Sequence, residues 1–244
     1  MTIGITTFSK RFNFLEKLIR QIRYFVDHPI ILIVNGEKDG KTSDDYMKKI
    51  FSLCGEYKQI YPTFFLETRG LSKMWNTIIV QSPYDDILIL NDDIEITNPE
   101  LFHISERIFK DDNFQGITKF NNSFSHFLVD KKIIEDLDFF DERLLGFGEE
   151  DGDISYRMLK INKLISNVSV SGLVNIVSDI RHDHVTPGIG KYSKFNRDFI
   201  YGSKYITDFT SKIQGMFDTP MKEQLLNEKQ YPYEKYFRIN KSKL

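Results

Sequence analysis

The 244-residue chain has one cysteine, Cys54, so no disulfide can close within it and its stability must come from packing. No apolar run approaches the roughly 18 residues that a membrane-spanning helix needs. The opening TIGITTF enters strand-like sequence directly, with no charged and apolar leader, so no signal peptide is expected. These absences point to a reducing, cytoplasmic setting. The net charge is only −2 with 28% charged residues, which argues against disorder and against nucleic acid as a partner. Neither a P-loop G-x-x-x-x-G-K-[ST] nor a G-x-G-x-x-G occurs, which argues against an ordinary NTPase or dinucleotide enzyme.

What is present is an alternation of strand and helix signals. TIGITTF reads as a buried strand. Phe14, Leu15, Leu18, Ile22, Phe25 and Val26 recur at helical spacing, and Pro29 follows. IILIV is a second strand closed by Asn35-Gly36. DYMKKIFSL predicts a helix ended by Gly55, and QIYPTFFLE a strand interrupted by Pro62. LSKMWNTIIVQ predicts a helix capped by Ser72 or Thr68, and DILIL the next strand. The order βαβαβαβ implies an α/β fold with a mostly parallel sheet flanked by helices, which binds ligands beyond the carboxyl ends of its strands. Later segments predict a helix near 98–110, short strands over 114–129, a short helix in KKIIEDLDFF and a Gly-rich turn opening a helix at GFGEEDGDISYRM. LISNVSV and GLVNIVS follow as strands.

Four clusters carry chemistry. Asp92 and Asp93 end an apolar strand, where they either face solvent or hold something positive, such as a hard divalent cation. Glu149, Glu150, Asp151 and Asp153 crowd a helix start, more carboxylates than a helix dipole requires; Asp153 and Arg157 read as a surface i,i+4 pair. His182 and His184 flank Asp183 beside a Pro/Gly loop, as structural histidines or as ligands for an ion such as Mn²⁺. Thr6, Thr7, Phe8, Ser9 and Asn35 follow the first two strands and offer hydrogen-bonding groups at the ligand end. Trp75, His126 and Phe147 read equally as core residues or as walls of a ligand site.

The quoted segments resemble the family 2-type glycosyltransferases with the GT-A fold over about residues 2–187. ITTFSKR is similar to their first-strand segment, IVNGEKDGKT to a V-D-N-G-S-x-D-x-T loop, RGLSKMWNTII to the segment before the metal-binding strand, and LILNDDIEI to the D-x-D segment. FFDERLLGFGEEDGDISYRM resembles the F-D-E…E-D-x-D-L-x-x-R block, and GFGEED also resembles the G-W-G-x-E-D motif of certain galactosyltransferases. The resemblance implies an inverting, metal-dependent transfer from a nucleoside-diphosphate sugar, with a UDP-sugar as first expectation and surface polysaccharide or glycan synthesis as setting. It implies Asp151 as catalytic base, with Glu150 orienting the acceptor or the base. It implies a donor site from Thr6, Thr7, Phe8, Asn35, Arg69, Asn76, Asp92 and Asp93. It implies a divalent cation, Mn²⁺ ahead of Mg²⁺, on Asp93 with His182 or His184, and Arg157 either structural or near the phosphates.

Two other classes compete. A nucleotidyltransferase should carry a Gly- and Lys-rich loop after the first strand, and TTFSKRF has no glycine. A non-catalytic sugar- or nucleotide-binding module is the second. Charge divides the chain into a transferase-like unit, residues 1–190, at −7 and a helical appendage, residues 191–244, at +5 with eleven Tyr and Phe. The appendage is expected either to pack on the main unit or to serve a lipid-linked or glycan acceptor, peripheral membrane contact or self-association.

Overall fold

A computed structural model describes residues 1–8, 11–36, 43–66, 68–176, 196–198, 200, 204 and 205. Ser9, His182, His184 and most of the expected appendage lie outside the described residues. A seven-stranded sheet in the order β3-β2-β1-β4-β7-β6-β8 forms the centre. Strands β1 (Thr2–Phe8), β2 (Ile30–Asn35), β3 (Ile60–Phe64) and β4 (Asp86–Asn91) are mutually parallel. β7 (Ser123–Asp130) runs antiparallel to both β4 and β6 (Ile117–Phe120), and β8 (Ser166–Val168) joins β6 in parallel. β5 (Ile94–Ile96) and β9 (Leu173–Asn175) make a small second sheet.

The apolar runs of β1, β2 and β4 follow from burial on both sheet faces. Alternate residues feed two separate cores. Ile3, Ile5, Leu32, Leu88 and Leu90 pack with Leu15, Leu18, Ile19 and Ile22 of α1 (Phe12–Phe25). Ile31, Ile33, Ile87 and Ile89 pack on the other face with Met74, Trp75, Ile78 and Ile79 of α3 (Leu71–Gln81). α2 (Asp44–Glu56) adds Tyr46, Ile50 and Leu53 to the first core. Pro62 is tolerated because β3 is an edge strand, where a missing N–H does not interrupt the ladder. α4 (Glu100–Phe109), α5 (Lys131–Asp136) and α6 (Glu150–Lys160) complete the layers. No described helix is long and apolar enough to cross a membrane.

Two local expectations change. Gly55 does not end α2; the helix runs through Glu56, and the turn into β3 uses Gln59 in the left-handed region at φ 55°. α3 is capped by neither Ser72 nor Thr68. Its first residue, Leu71, donates its N–H to the Gly146 carbonyl at 2.6 Å, so a distant loop does the work of a cap side chain. Thr68 instead donates to the Gly36 carbonyl.

Gly4 sets how closely α3 can approach β1, since a Cβ there would sit 2.3 Å from Ile78 Cγ2. Gly4→Ala is therefore expected to cost about 1–3 kcal/mol through overpacking. Urea unfolding should show a lower midpoint at unchanged slope.

Candidate active site

Sheet order reverses between β1 and β4: β2 and β3 extend to one side, and β4 lies on the other. In open α/β sheets a ligand crevice forms outside the carboxyl ends of the strands at such a point. Thr6 pairs in register with Asn91, so the residues that follow them face each other across this crevice. Asp92 and Asp93 occupy the tight turn between β4 and β5 and are 1% and 6% exposed. Thr7 Oγ1 donates to Asp92 Oδ2 at 2.7 Å, and Thr6 Oγ1 to Asn91 Oδ1 at 3.3 Å. Arg11 spans the pair, its Nη1 2.7 Å from Asp92 Oδ1 and its Nη2 2.9 Å from Asp93 Oδ2. Its guanidinium lies 5.1 Å from the centre of the Phe8 ring.

One guanidinium faces two carboxylates. Burial pushes the Asp92 carboxyl up to about 7, against the pull of Arg11 and with a further push from Asp93. Asp93 Oδ1 is buried with no partner among the described residues. His126 is buried nearby, and burial lowers its imidazole to about 4 while Asp93 and the Phe120 backbone pull it upward. The turn therefore carries unmatched negative character and an unused ligand atom. Among the described residues no group of three His, Cys, Asp or Glu side chains gathers to hold a metal.

A chain of contacts brings the start of α6 to the same edge. Asn35, at the end of β2, donates Nδ2–H to the Arg69 carbonyl at 2.9 Å and accepts the Arg69 N–H at 2.8 Å. The next residue, Gly70, lies so close to the Leu144 carbonyl that a Cβ there would sit 2.7 Å from it. Leu71 then binds Gly146. The loop before α6 bends through left-handed residues Gly146, Gly148 and Glu149 at φ 58°, 112° and 75°. Glycine suits the first two; Glu149 is held there with its carboxylate accepting from Arg197 at 3.1 Å. Glu150 turns inward and accepts the Gly148 N–H at 2.7 Å, while its Oε1 is buried without a partner. Burial pushes the Glu150 carboxyl up to about 8. Asp151 is exposed at the same helix end.

Behind this loop lies a buried ion network. Asp141 binds Arg143 through its Nε at 2.7 Å and through Nη2, and Lys204 Nζ at 2.6 Å. Asp153 binds Arg157 Nη2 at 2.9 Å and Lys204 Nζ at 2.5 Å, and accepts from the Tyr205 hydroxyl. Arg157 also donates to the Leu137 carbonyl. Asp153–Arg157 is thus a fully buried pair and not the surface pair that i,i+4 spacing suggests, because Lys204 and Tyr205 cover that face of α6.

The donor-site residues expected from the sequence divide by what their side chains do. Thr6, Thr7, Phe8, Asp92 and Asp93 converge at the crevice. Asn35 is engaged with the Arg69 backbone. Asn76 is buried, donating to the Phe140 carbonyl and to Glu142 Oε1 at 2.9 Å each, and accepting the Phe140 N–H at 3.0 Å. It therefore holds the 140–142 segment. Trp75 is core, packed edge-on against Phe127 and Phe140. Sequence reasoning missed Arg11, Asn196 and Lys204. Arg11 had a weak signal, a cation three residues beyond a strand that ends at the ligand edge; the other two had none.

No protein-family model matches the chain, and no curated protein does. Solved structures do. A mannosyltransferase from Pyrobaculum calidifontis, in complex with GDP-Man and Mn²⁺, superposes at a TM-score of 0.64 with 12% identity, over 89% of this chain and 66% of that one. Glucosyl-3-phosphoglycerate synthase from Mycobacterium tuberculosis, in complex with Mn²⁺, UDP and phosphoglyceric acid, gives 0.58 with 11% identity over 85% and 80%. A Drosophila β1,4-galactosyltransferase 7 variant with manganese, UDP-Gal and xylobiose gives 0.52 with 12% identity over 88% and 82%. The fold is GT-A.

Two outcomes follow for stability. With its folded-state pKa near 8, above the ordinary 4.5, Glu150 contributes stability below about pH 4.5 that is lost as pH rises toward 8. Glu150→Gln should therefore gain on the unaltered protein by a few kcal/mol between pH 5 and 9, read from urea unfolding. Asp153→Asn leaves buried cations unmatched and should cost about 3–5 kcal/mol in the same assay.

Proposed function

We propose that the chain is an inverting, metal-dependent glycosyltransferase. It moves a sugar from a nucleoside-diphosphate donor, a UDP-sugar first, to a hydroxyl on a glycan or lipid-linked acceptor in surface polysaccharide or glycan synthesis. The observation that carries this reading is the buried Asp92–Asp93 pair at the reversal point of a GT-A sheet, with more negative character than Arg11 can match. The neighbours solved with Mn²⁺ and a GDP or UDP ligand support the same assignment.

The unpartnered Asp93 Oδ1 suits a hard divalent cation, which Asp93 would hold. His182 and His184 remain its proposed protein partners. The cation, when bound, supplies charge stabilisation to the departing diphosphate. The chain's own residues do the rest. Thr7 and Arg11 fix Asp92, whose proposed role is to contact the ribose or to support the metal shell. Thr6, Thr7 and Phe8 wall the crevice on one side, and Asn35, bonded to the Arg69 backbone, is the proposed contact to the base. Asn76 fixes the 140–142 segment that leads into the loop before α6.

Of the two carboxylates that begin α6, Glu150 is held in its protonated form near neutral pH by burial, which makes it a hydrogen-bond donor and a poor base. Asp151, exposed beside it, takes the acceptor's hydroxyl proton. The freed oxygen attacks the sugar C1 from the face opposite the diphosphate, the C1–O bond to the diphosphate breaks, and the anomeric centre inverts.

Calorimetric titration with UDP, GDP, CDP and dTDP, each with Mn²⁺ and with EDTA, tests the reading. One diphosphate should bind only with metal; no binding of any would overturn it. Asp93→Ala should weaken that metal-dependent affinity at least about tenfold, and Asp151→Asn should lower transfer by roughly 10²–10⁴ with nucleotide affinity unchanged.

A further inference from the structure

We propose that Asn196 is a positioning residue that holds the loop of residues 145–150, and so the orientation of Glu150 and Asp151, as part of a strap whose described residues are 196–198, 200, 204 and 205. The catalytic part of this inference rests on the transferase reading above.

The strap meets the loop at its entry, middle and exit. At the entry Ile200 packs against Leu144. In the middle Asn196, fully buried, accepts the Leu145 N–H at 2.7 Å and donates to the carbonyls of Leu145 at 2.9 Å and Gly148 at 2.8 Å. Arg197 holds Glu149. Beyond the loop Lys204 bridges Asp141, which precedes it, and Asp153, which follows it on α6. The two ends of the loop are thereby tied to one ammonium group.

The loop needs such a clamp. Three of its residues, Gly146, Gly148 and Glu149, are left-handed, and a loop of this shape satisfies few of its own backbone groups. Asn196 meets three of them with one side chain, which requires both an acceptor and donors in one plane; only an amide offers that combination at this size. Gly148 is the shared point. Its carbonyl accepts from Asn196 and its N–H donates to Glu150, so fixing one side of this residue fixes the partner of the inward carboxyl. Neither Asn196 nor Lys204 needs to touch substrate for this. They act through the loop, about fifty residues earlier in the chain.

The test uses the full chain and two variants, Asn196→Ala and Asn196→Asp. The aspartate keeps the acceptor for Leu145 N–H but loses both donors, and guards against a packing failure in the alanine. Hydrogen exchange should accelerate at least tenfold for amides within 145–150 and stay unchanged in β1, β2 and β4. Donor hydrolysis or transfer should fall at least thirtyfold, while affinity for the diphosphate identified by calorimetry stays within twofold. Arg23→Ala, which removes a clamp between α1 and the chain before β2 and β3, serves as the control and should leave turnover unchanged. Unchanged exchange at 145–150, loosening spread evenly over the sheet, or a loosened loop with full turnover would overturn the proposal. Failure of the unaltered protein to use any donor would refute the transferase reading instead; the exchange result would still decide whether Asn196 holds the loop.

Discussion

Two adjacent carboxylates buried at the end of a central strand are the constraint on which the candidate site depends. Placed there, Asp92 and Asp93 require positive charge and hydrogen-bond donors close by, since an isolated buried carboxylate is strongly disfavoured. The fold meets the requirement with Thr7 from the neighbouring strand and Arg11 from the turn into α1. Both are delivered by the parallel pairing of β1 with β4. The match is incomplete, because one guanidinium serves two acids and an Asp93 oxygen is left over. In an ordinary core this would be a defect. At the reversal point of a GT-A sheet it leaves a buried carboxylate oxygen facing the crevice, and the proposed function rests on that oxygen.

A second charged cluster supports the start of α6 by different means. Asp141, Arg143, Asp153, Arg157 and Lys204 are all buried and pair with one another. Such networks contribute little net stability compared with apolar residues of the same size, since each charge loses its water. What this one does is geometric: it ties the segment before the 145–150 loop and the helix after it to Lys204. The two hydrophobic cores hold the sheet and its helices together, and the ion network places the loop on them.

Much of the parallel half was legible in the sequence. Apolar runs alternate with helical spacing from β1 to β4, and each element carries its own signal in consecutive residues. The antiparallel arrival of β7 beside β4, and the order that follows, was not legible, because pairing partners are chosen by contacts between residues far apart in the chain. Local capping misled for a similar reason. Leu71 finds its acceptor at Gly146, and nothing near Leu71 announces that. Asp153 and Arg157 looked like a solvated pair because spacing gives the separation of two residues on a helix but not which face of the helix is covered.

By itself the sequence determined that this is an α/β chain with a carboxylate pair at a strand end and a second carboxylate cluster opening a helix. Both stand out because they break local preference: aspartate is a poor strand former, and four acids exceed what a helix start needs. Only the tertiary structure decided which groups answer those acids. Arg11 reaches Asp92 across 81 residues, and Lys204 reaches Asp141 across 63. It also gave Glu150 and Asp151 opposite surroundings, one buried and one exposed, although they are neighbours in sequence. The physical reason is that charge partners and burial depend on distance in space, which a linear pattern carries only for residues within a turn or two of each other.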